Sequence, residues 1–278
     1  RFPWHHTTLG PGEPEGDQLS TWVLAANDVF EPPGTGDFEL PPIVGGVTKP
    51  MLLVIAASVI VAAFLFLSIR KTQLVPGRLQ FVGESLYGFV RNNIARDQIG
   101  SKEFRPFIPL IVALFTFVLV NNIYGLVPGV QYPSLARIGF PLALSLLVVY
   151  PVYHFVGIRK FGLRRYLRNQ LVPPGAPKLV YLFLTPIEFV SKFVTNPLTL
   201  AIRVFAAMFA GHMLILVFTL AGEYLLLHAA GPLKLVGVLS FIGVIAVTFL
   251  EALIMVIQAY IFALLSASYI GGALAEEH

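Results

Sequence analysis

Two stretches of this chain, Met51–Ile69 and Ile138–Gly157, each run without an Asp, Glu, Lys or Arg. Uncharged apolar runs of about 18 residues or more are too long for the core of most soluble folds and match the length of a membrane-crossing helix. Charged residues make up only 12 % of the 278-residue chain, against about 25 % in soluble domains. A lipid-embedded protein follows. The absence of cysteine excludes disulfides, iron–sulfur ligation and thiolate chemistry. The net charge of +4 does not point to nucleic acid, because the cations gather beside the apolar runs, as membrane orientation requires. No metal, cofactor or nucleic-acid partner is expected.

Residues 1–48 hold seven acids and one base among many Pro and Gly. They read as an extramembrane segment, with Leu19–Val29 as a short helix, too polar for a signal peptide. Lacking an initiator Met, Arg1 is not expected to be the gene start. The first span is expected over about Lys49–Ile69. Between 73 and 98 the apolar residues Leu79, Val82, Leu86, Phe89, Val90 and Ile94 recur at helical spacing beside Arg78, Glu84, Arg91 and Arg96, the pattern of an amphipathic helix lying on the membrane. Further spans are expected over Phe107–Val127 and Ile138–Gly157, then a basic loop carrying Arg159, Lys160, Arg164, Arg165, Arg168 and Lys178. From 179 to 227 runs one helical stretch containing Pro186 and Pro197; at ~1.5 Å per residue it is about 70 Å long, over twice a ~30 Å hydrocarbon core, so it must tilt, kink or split. The last span covers about 235–270. The expected architecture is all-α: about five crossings, a surface helix, and a tilted hairpin over 179–270 within a membrane domain of residues 49–278. Placing both basic segments inside by the positive-inside rule puts the N-terminus outside and the C-terminus in the cytoplasm.

An ionisable group inside a span usually marks a transport path, although a snorkelling side chain near a helix end is common. Arg203 is surrounded by apolar or small residues from Leu200 to Gly211 and has no acid within a turn. His212, nine residues on, falls on roughly the opposite face at ~100° per residue, whereas Glu251 and Gln258, seven apart, share a face of the last helix. In an antiparallel hairpin, facing positions have a constant sum. His212 with Glu251 gives 463 and Arg203 with Gln258 gives 461, so both pairs fit one turn near Gly231-Pro232. A His–Glu pair suits proton relay because imidazole titrates near neutrality; the competing reading is a pair that merely joins two helices. Arg203, which keeps its proton, acts as a fixed positive charge. Glu188 and Lys192 either line a second aqueous entrance or form an ordinary surface ion pair. Thr195, Asn196 and Thr199 extend a polar line toward Arg203. Glu223 and His228 either form an outer vestibule or snorkel. Asn121 and Asn122 either line a pore or bond to a neighbouring helix.

The run Asn196-Pro197-Leu198-Thr199-Leu200-Ala201-Ile202-Arg203, then Met208-Phe209-Ala210-Gly211, Gln258-Ala259-Tyr260-Ile261-Phe262 and the terminal Glu276-Glu277-His278, resembles the a subunit of F-type ATP synthases, strongly over 104–278. The resemblance extends in general features to the first span and the surface helix. The Ile138-Gly139-Phe140-Pro141 segment and His212 after Ala210-Gly211 are closest in style to bacterial, actinobacterial members. It implies a stator subunit in the plasma membrane, not catalytic by itself, with a hairpin lying against a ring of c subunits that each carry a buried carboxylate, and with b or peripheral-stalk subunits as further partners. Arg203 matches the arginine that pairs with the passing carboxylate and separates two half-channels. His212 and Glu251 match the outer path and Gln258 lies beside the arginine, with Glu223 and His228 expected by position at the outer mouth. Glu188 and Thr199 match the cytoplasmic one, and by position Thr195, Asn196 and Asn122 are expected to join it or to line the pore. The sequence departs in two ways. The acid and the histidine have exchanged helices, and the usual Gly-Asn after the arginine is Ala206-Ala207, which leaves one polar step to another group or to water. A self-contained transporter or channel, and a purely structural scaffold, are the competing readings. Either would leave Arg203 without a counter-ion at its depth.

Overall fold

The computed structural model describes residues 32–34, 36, 45–70, 73–171, 178–228 and 232–275, with side chains of the 178–228 helix from 183 onward. The chain divides into two units, Arg1–Pro32 and Pro33–His278, and the described helices belong to the second. The short helix expected at Leu19–Val29, the turn residue Gly231 and the terminal Glu276-Glu277-His278 lie outside the described residues.

All regular elements among the described residues are helices. Five are long and apolar enough to cross a membrane: α1 (Lys49–Arg70), α3 (Arg105–Ile123), α4 (Gly139–Phe161), the Phe183–His228 part of α6 (178–228), and α7 (Leu233–Leu274). Between them lie α2 (78–99) and α5 (Leu163–Leu171). The chain is thus an all-α polytopic membrane protein. One expectation needs correction: the basic stretch after α4 is not wholly a loop, because Leu163–Leu171 is helical. The surface helix also begins at Arg78 rather than 73. Before it, the Gln80 side chain accepts from the Gln73 N–H at 3.1 Å and donates to the Gln73 carbonyl at 3.2 Å, so one side chain pins the extended linker.

Helix ends follow local chemistry. Pro106 and Pro109 stand in the first turns of α3, where the missing N–H costs nothing. Gly100 (φ +95°) and Gly162 (φ +77°) terminate α2 and α4 in a backbone region that side chains resist. Proline also shapes the interiors. Leu144–Val149 and Ser191–Thr195 are π-turns, and each ends two residues before a proline, Pro151 and Pro197. A proline ring clashes with the carbonyl four residues back and cannot bond to it; widening that turn removes the clash without ending the helix.

The core lies where α3, α6 and α7 meet a further π-turn, Arg91–Ala95 within α2. It contains Ile94, Ile111, Val118, Met208, Met255 and Phe262. Small residues on the facing stripes, Ala201, Ala259, Ala263 and Ala267, are at most 1 % exposed. In lipid, helices gain from close packing rather than from leaving water, so small side chains are what an interior stripe needs. The basic ends are stapled together: Lys160 lies 2.9 Å from Glu103 and donates to the Leu274 carbonyl at 2.9 Å. At the opposite end the Lys49 ammonium donates to the Val130 carbonyl at 2.7 Å.

Candidate functional site: a polar seam in a tilted hairpin

The Phe183–His228 part of α6 has 46 residues and α7 has 42. At ~1.5 Å per residue these are about 70 and 63 Å long, so neither stands upright in a ~30 Å hydrocarbon core. The long stretch does not split; it stays helical through its π-turn. Facing residues keep one register. Glu251 sits against Gly211 (position sum 462), Phe218 against Gly243 (461), Ser240 and Phe241 against Gly222 (462 and 463), and Leu226 against Gly237 (463). Each contact uses a glycine, and the Ser240 hydroxyl donates to the Phe218 carbonyl at 2.7 Å across the seam. Arg203 and Gln258, with a sum of 461, fall within this register, and both helices run unbroken between the observed contacts and these residues.

His212 and Glu251 meet as their register requires. His212 Nδ1 lies 3.7 Å from Glu251 Oε1, with the carboxylate 1 % exposed. That separation is ion-pair distance but too long for a hydrogen bond, and neither Glu251 oxygen accepts a hydrogen bond among the described residues. A Cβ at Gly211 would stand 3.3 Å from Glu251 Cγ, so the glycine makes room for the acid. One turn along α7, the Met255 carbonyl accepts from the Asn122 side-chain amide at 3.3 Å, while Asn122 Oδ1 is buried without a partner. Asn121 is satisfied differently: it donates to the Phe117 carbonyl at 2.8 Å and accepts from the Ser134 hydroxyl at 2.9 Å. The two neighbours thus bond to different elements, and only Asn122 joins α3 to α7 beside the His–Glu pair.

Arg203 points away from this interior. Leu200, Ala201, Val204 and Met208 are buried, whereas Thr195, Thr199, Arg203, Ala206 and Ala210 are exposed at steps of three and four along one face. The described ion pairs use Glu103, Glu188 and Glu251 with Lys160, Lys192 and His212, and none includes Arg203. Its charge reaches the Tyr269 hydroxyl of α7. Gln258 is half-buried, and its Oε1 lacks a partner. The outward face of α6 therefore carries a fixed cation unbalanced within the described chain, beside two alanines that leave space around it.

Further toward the basic end, Glu188 and Lys192 form a 3.2 Å pair, and the same ammonium donates to the Gln170 carbonyl of α5 at 2.7 Å. Asn196 is half-buried. Glu223 and His228 are exposed near the opposite end of α6, with the His228 ring stacked on Tyr224 at 5.1 Å. Sequence reasoning missed an aromatic corner between α4, α5 and α6. Tyr166 of α5, 1 % exposed, fits over Gly157, and its hydroxyl lies 2.8 Å from His154 Nδ1. The His154 ring stacks on Phe193 of the α6 π-turn at 4.8 Å. Burial, and then the neighbouring Tyr153, pushes the Tyr166 hydroxyl above the ordinary tyrosine range. The signal was available in Tyr150, Tyr153, His154 and Gly157, which lie three or four apart on one helix. Ser145 was missed too; its hydroxyl donates to the Pro197 carbonyl at 2.8 Å, tying the two proline-associated π-turns to each other.

Residues 51–271 match the model of the ATP synthase A chain family. The chain is similar to ATP synthase subunit a of Nocardioides sp., 44 % identical over 268 residues that cover 91 % of this chain and 96 % of that protein. It is also similar to the same subunit of Pseudarthrobacter chlorophenolicus, 46 % identical over 90 % of this chain and 95 % of the relative, and of Rhodococcus erythropolis, 40 % identical over 94 % and 96 %.

Proposed function

Because the chain belongs to the ATP synthase A chain family, we propose that it is the stator subunit that leads protons to and from a rotating ring of c subunits, without catalytic activity of its own. The observation that carries this reading is the exposed Arg203, a permanent cation on the outward face of α6 with no acid of the described chain paired to it. A charge held in that position within a membrane needs a counter-charge, and each carboxylate brought past by the ring would supply one. Such a cation favours the ionised carboxylate. A carboxylate leaving it would take up a proton from one side, and one approaching it would release its proton to the other. Since arginine keeps its proton at any working pH, Arg203 would also block direct leakage between the two paths.

The outer half-channel is assigned to His212 and Glu251, with Gln258 toward the arginine and Glu223 and His228 at the mouth; Asn122, expected from the sequence on the cytoplasmic path or as a pore-lining residue, is assigned here instead because it bonds to α7 one turn from Glu251. Glu251 suits this because its oxygens are buried and unbonded, so that a proton can be gained or lost without breaking a hydrogen bond. The cytoplasmic half-channel is assigned to Glu188, Thr195, Asn196 and Thr199, which lead along α6 to the arginine. The positive-inside rule places the basic ends of α1 and α4 in the cytoplasm, and with them the Leu274 end of α7 that Lys160 holds; residues 1–48 then lie outside. A peripheral-stalk subunit is expected to hold the chain still while the ring turns. A self-contained transporter would need an internal partner for Arg203, which the described acids do not provide.

The decisive experiment is Arg203→Ala in the assembled complex. ATP-driven proton pumping is expected to fall to background while ATP hydrolysis by the detached soluble head continues; pumping retained at a tenth or more of the parent rate would defeat the proposal.

A further inference from the structure

The corner between α4 and α5 presents a second concentration of charge that the proton path does not use. Leu163–Leu171 buries Tyr166 and Gln170, four residues apart, against the rest of the chain. Arg164 and Arg168 stand two residues from Tyr166 on either side. At ~100° per residue this puts them on the face opposite the buried one. Arg165 lies to the side, with its guanidinium 5.9 Å above the Phe161 ring. All three arginines are exposed, and with Phe161, Gly162 and Leu163 they surround an open concavity of about 510 Å³. None forms an ion pair among the described residues. Glu103, near the end of α4, is held by Lys160, and Glu188, beside α5, is held by Lys192.

The helix that carries the cations is held in place. Tyr166 is wedged over Gly157 and bonded to His154, and the Gln170 carbonyl accepts from Lys192. The short helix is therefore anchored at its middle and at its C-terminal end, which sets the direction of its arginine face before anything binds. The rim has a second character: Leu163 is 57 % exposed and adjoins Phe161, directly after the α4 membrane span. Cations above an apolar edge at the end of a span match the junction between a phosphate and acyl chains. A free phosphate has no use for that edge, and an acidic peptide has no reason to bind at the depth of the membrane surface.

We propose that this concavity is a binding site for an anionic glycerophospholipid, with the phosphodiester held by Arg164, Arg165 and Arg168 and the acyl chains lying past Leu163. Each arginine close to an anionic membrane surface contributes about a fivefold gain in affinity, so three together contribute on the order of a hundredfold. The site is independent of the proton path and does not rest on it.

The test uses the assembled complex in mild detergent after delipidation. Phenylglyoxal modification of Arg164, Arg165 and Arg168 is followed by peptide mass spectrometry, with exposed Arg159, outside the concavity, as internal reference. Phosphatidylglycerol should slow modification of the three arginines at least fivefold relative to Arg159, whereas phosphatidylcholine and millimolar inorganic phosphate should not. Equal protection by inorganic phosphate would show a free-anion site, equal protection of Arg159 would show only a diffuse charged surface, and no protection would show no site; each overturns the proposal. In parallel, the Arg164→Gln, Arg165→Gln, Arg168→Gln variant should retain phosphatidylglycerol with affinity about a hundredfold lower. Unchanged retention in that variant would equally overturn it.

Discussion

At the scale of single residues, the His212–Glu251 pair can be separated from a structural clamp by what its removal does to stability. A buried ion pair replaced by apolar residues of similar size is often neutral or stabilising, whereas a pair that has lost one partner is costly, by about 3–5 kcal/mol. The 3.7 Å separation and the unbonded carboxylate oxygens argue that the pair adds little cohesion. Combined His212→Leu and Glu251→Met should therefore leave thermal unfolding of the complex within about 1 kcal/mol of the parent while abolishing proton flow. A large loss of stability would identify a clamp instead. The exchanged variant, His212→Glu with Glu251→His, should recover part of the flow that either single alanine substitution loses. These residues were legible in the sequence because each is a polar interruption in an apolar run, and hairpin arithmetic sufficed to pair them. The bonds of Asn122 and Ser145 were not legible, since each reaches the backbone of a different helix, and a backbone carbonyl carries no residue signature.

Among the helices, the aromatic corner shows how α5 is held. A Cβ at Gly157 would run into the Tyr166 ring, so Gly157→Ala is expected to cost about 1–3 kcal/mol by overpacking. Limited proteolysis between α4 and α6 would detect the release of α5, and Tyr166→Leu in the same background should restore part of the resistance. Alkali should act on the same contact. The buried Tyr166 hydroxyl ionises above the ordinary tyrosine value, so the docked state binds its proton more tightly than the undocked one. That contribution is complete below about pH 10 and is lost as pH rises beyond it. Proteolysis in the 163–171 region should therefore increase above about pH 10 in the parent, and less in Tyr166→Phe. Apolar periodicity located the long helices to within a few residues. It missed α5 because five of its nine residues, Arg164, Arg165, Arg168, Asn169 and Gln170, are strongly polar, which hid the helical spacing of Leu163, Tyr166, Leu167 and Leu171.

For the whole molecule, the described surface leaves many large apolar side chains uncovered on α1 and α7, among them Ile55, Val59, Ile245 and Phe249, each about three-fifths exposed or more. Lipid accounts for such a surface, but the unbalanced Arg203 is not accounted for by lipid. Purification in mild detergent should therefore yield this chain together with other synthase subunits. A stable monomer that moved a solute unaided would count against the stator reading. At the basic end, Lys160→Met removes the contacts to Glu103 and to the Leu274 carbonyl. Lys160 and Glu103 are both partly solvated, so the loss should stay near or below about 1 kcal/mol, seen as faster hydrogen exchange at the end of α7 rather than as unfolding.

The π-turn at Ser191–Thr195 has a consequence for how this chain can change length. A π-turn is what a helix makes of one inserted residue. Deleting any one of the five would close the ordinary ladder and rotate one side against the other by about 100°. If the inner side yielded, Lys192 would swing away from Gln170; if the outer side yielded, Arg203 would turn off its face while keeping every neighbour in sequence. Insertions and deletions here should thus be tolerated only in compensating pairs, and a single-residue deletion at Val194 should be as damaging to pumping as replacing the arginine itself.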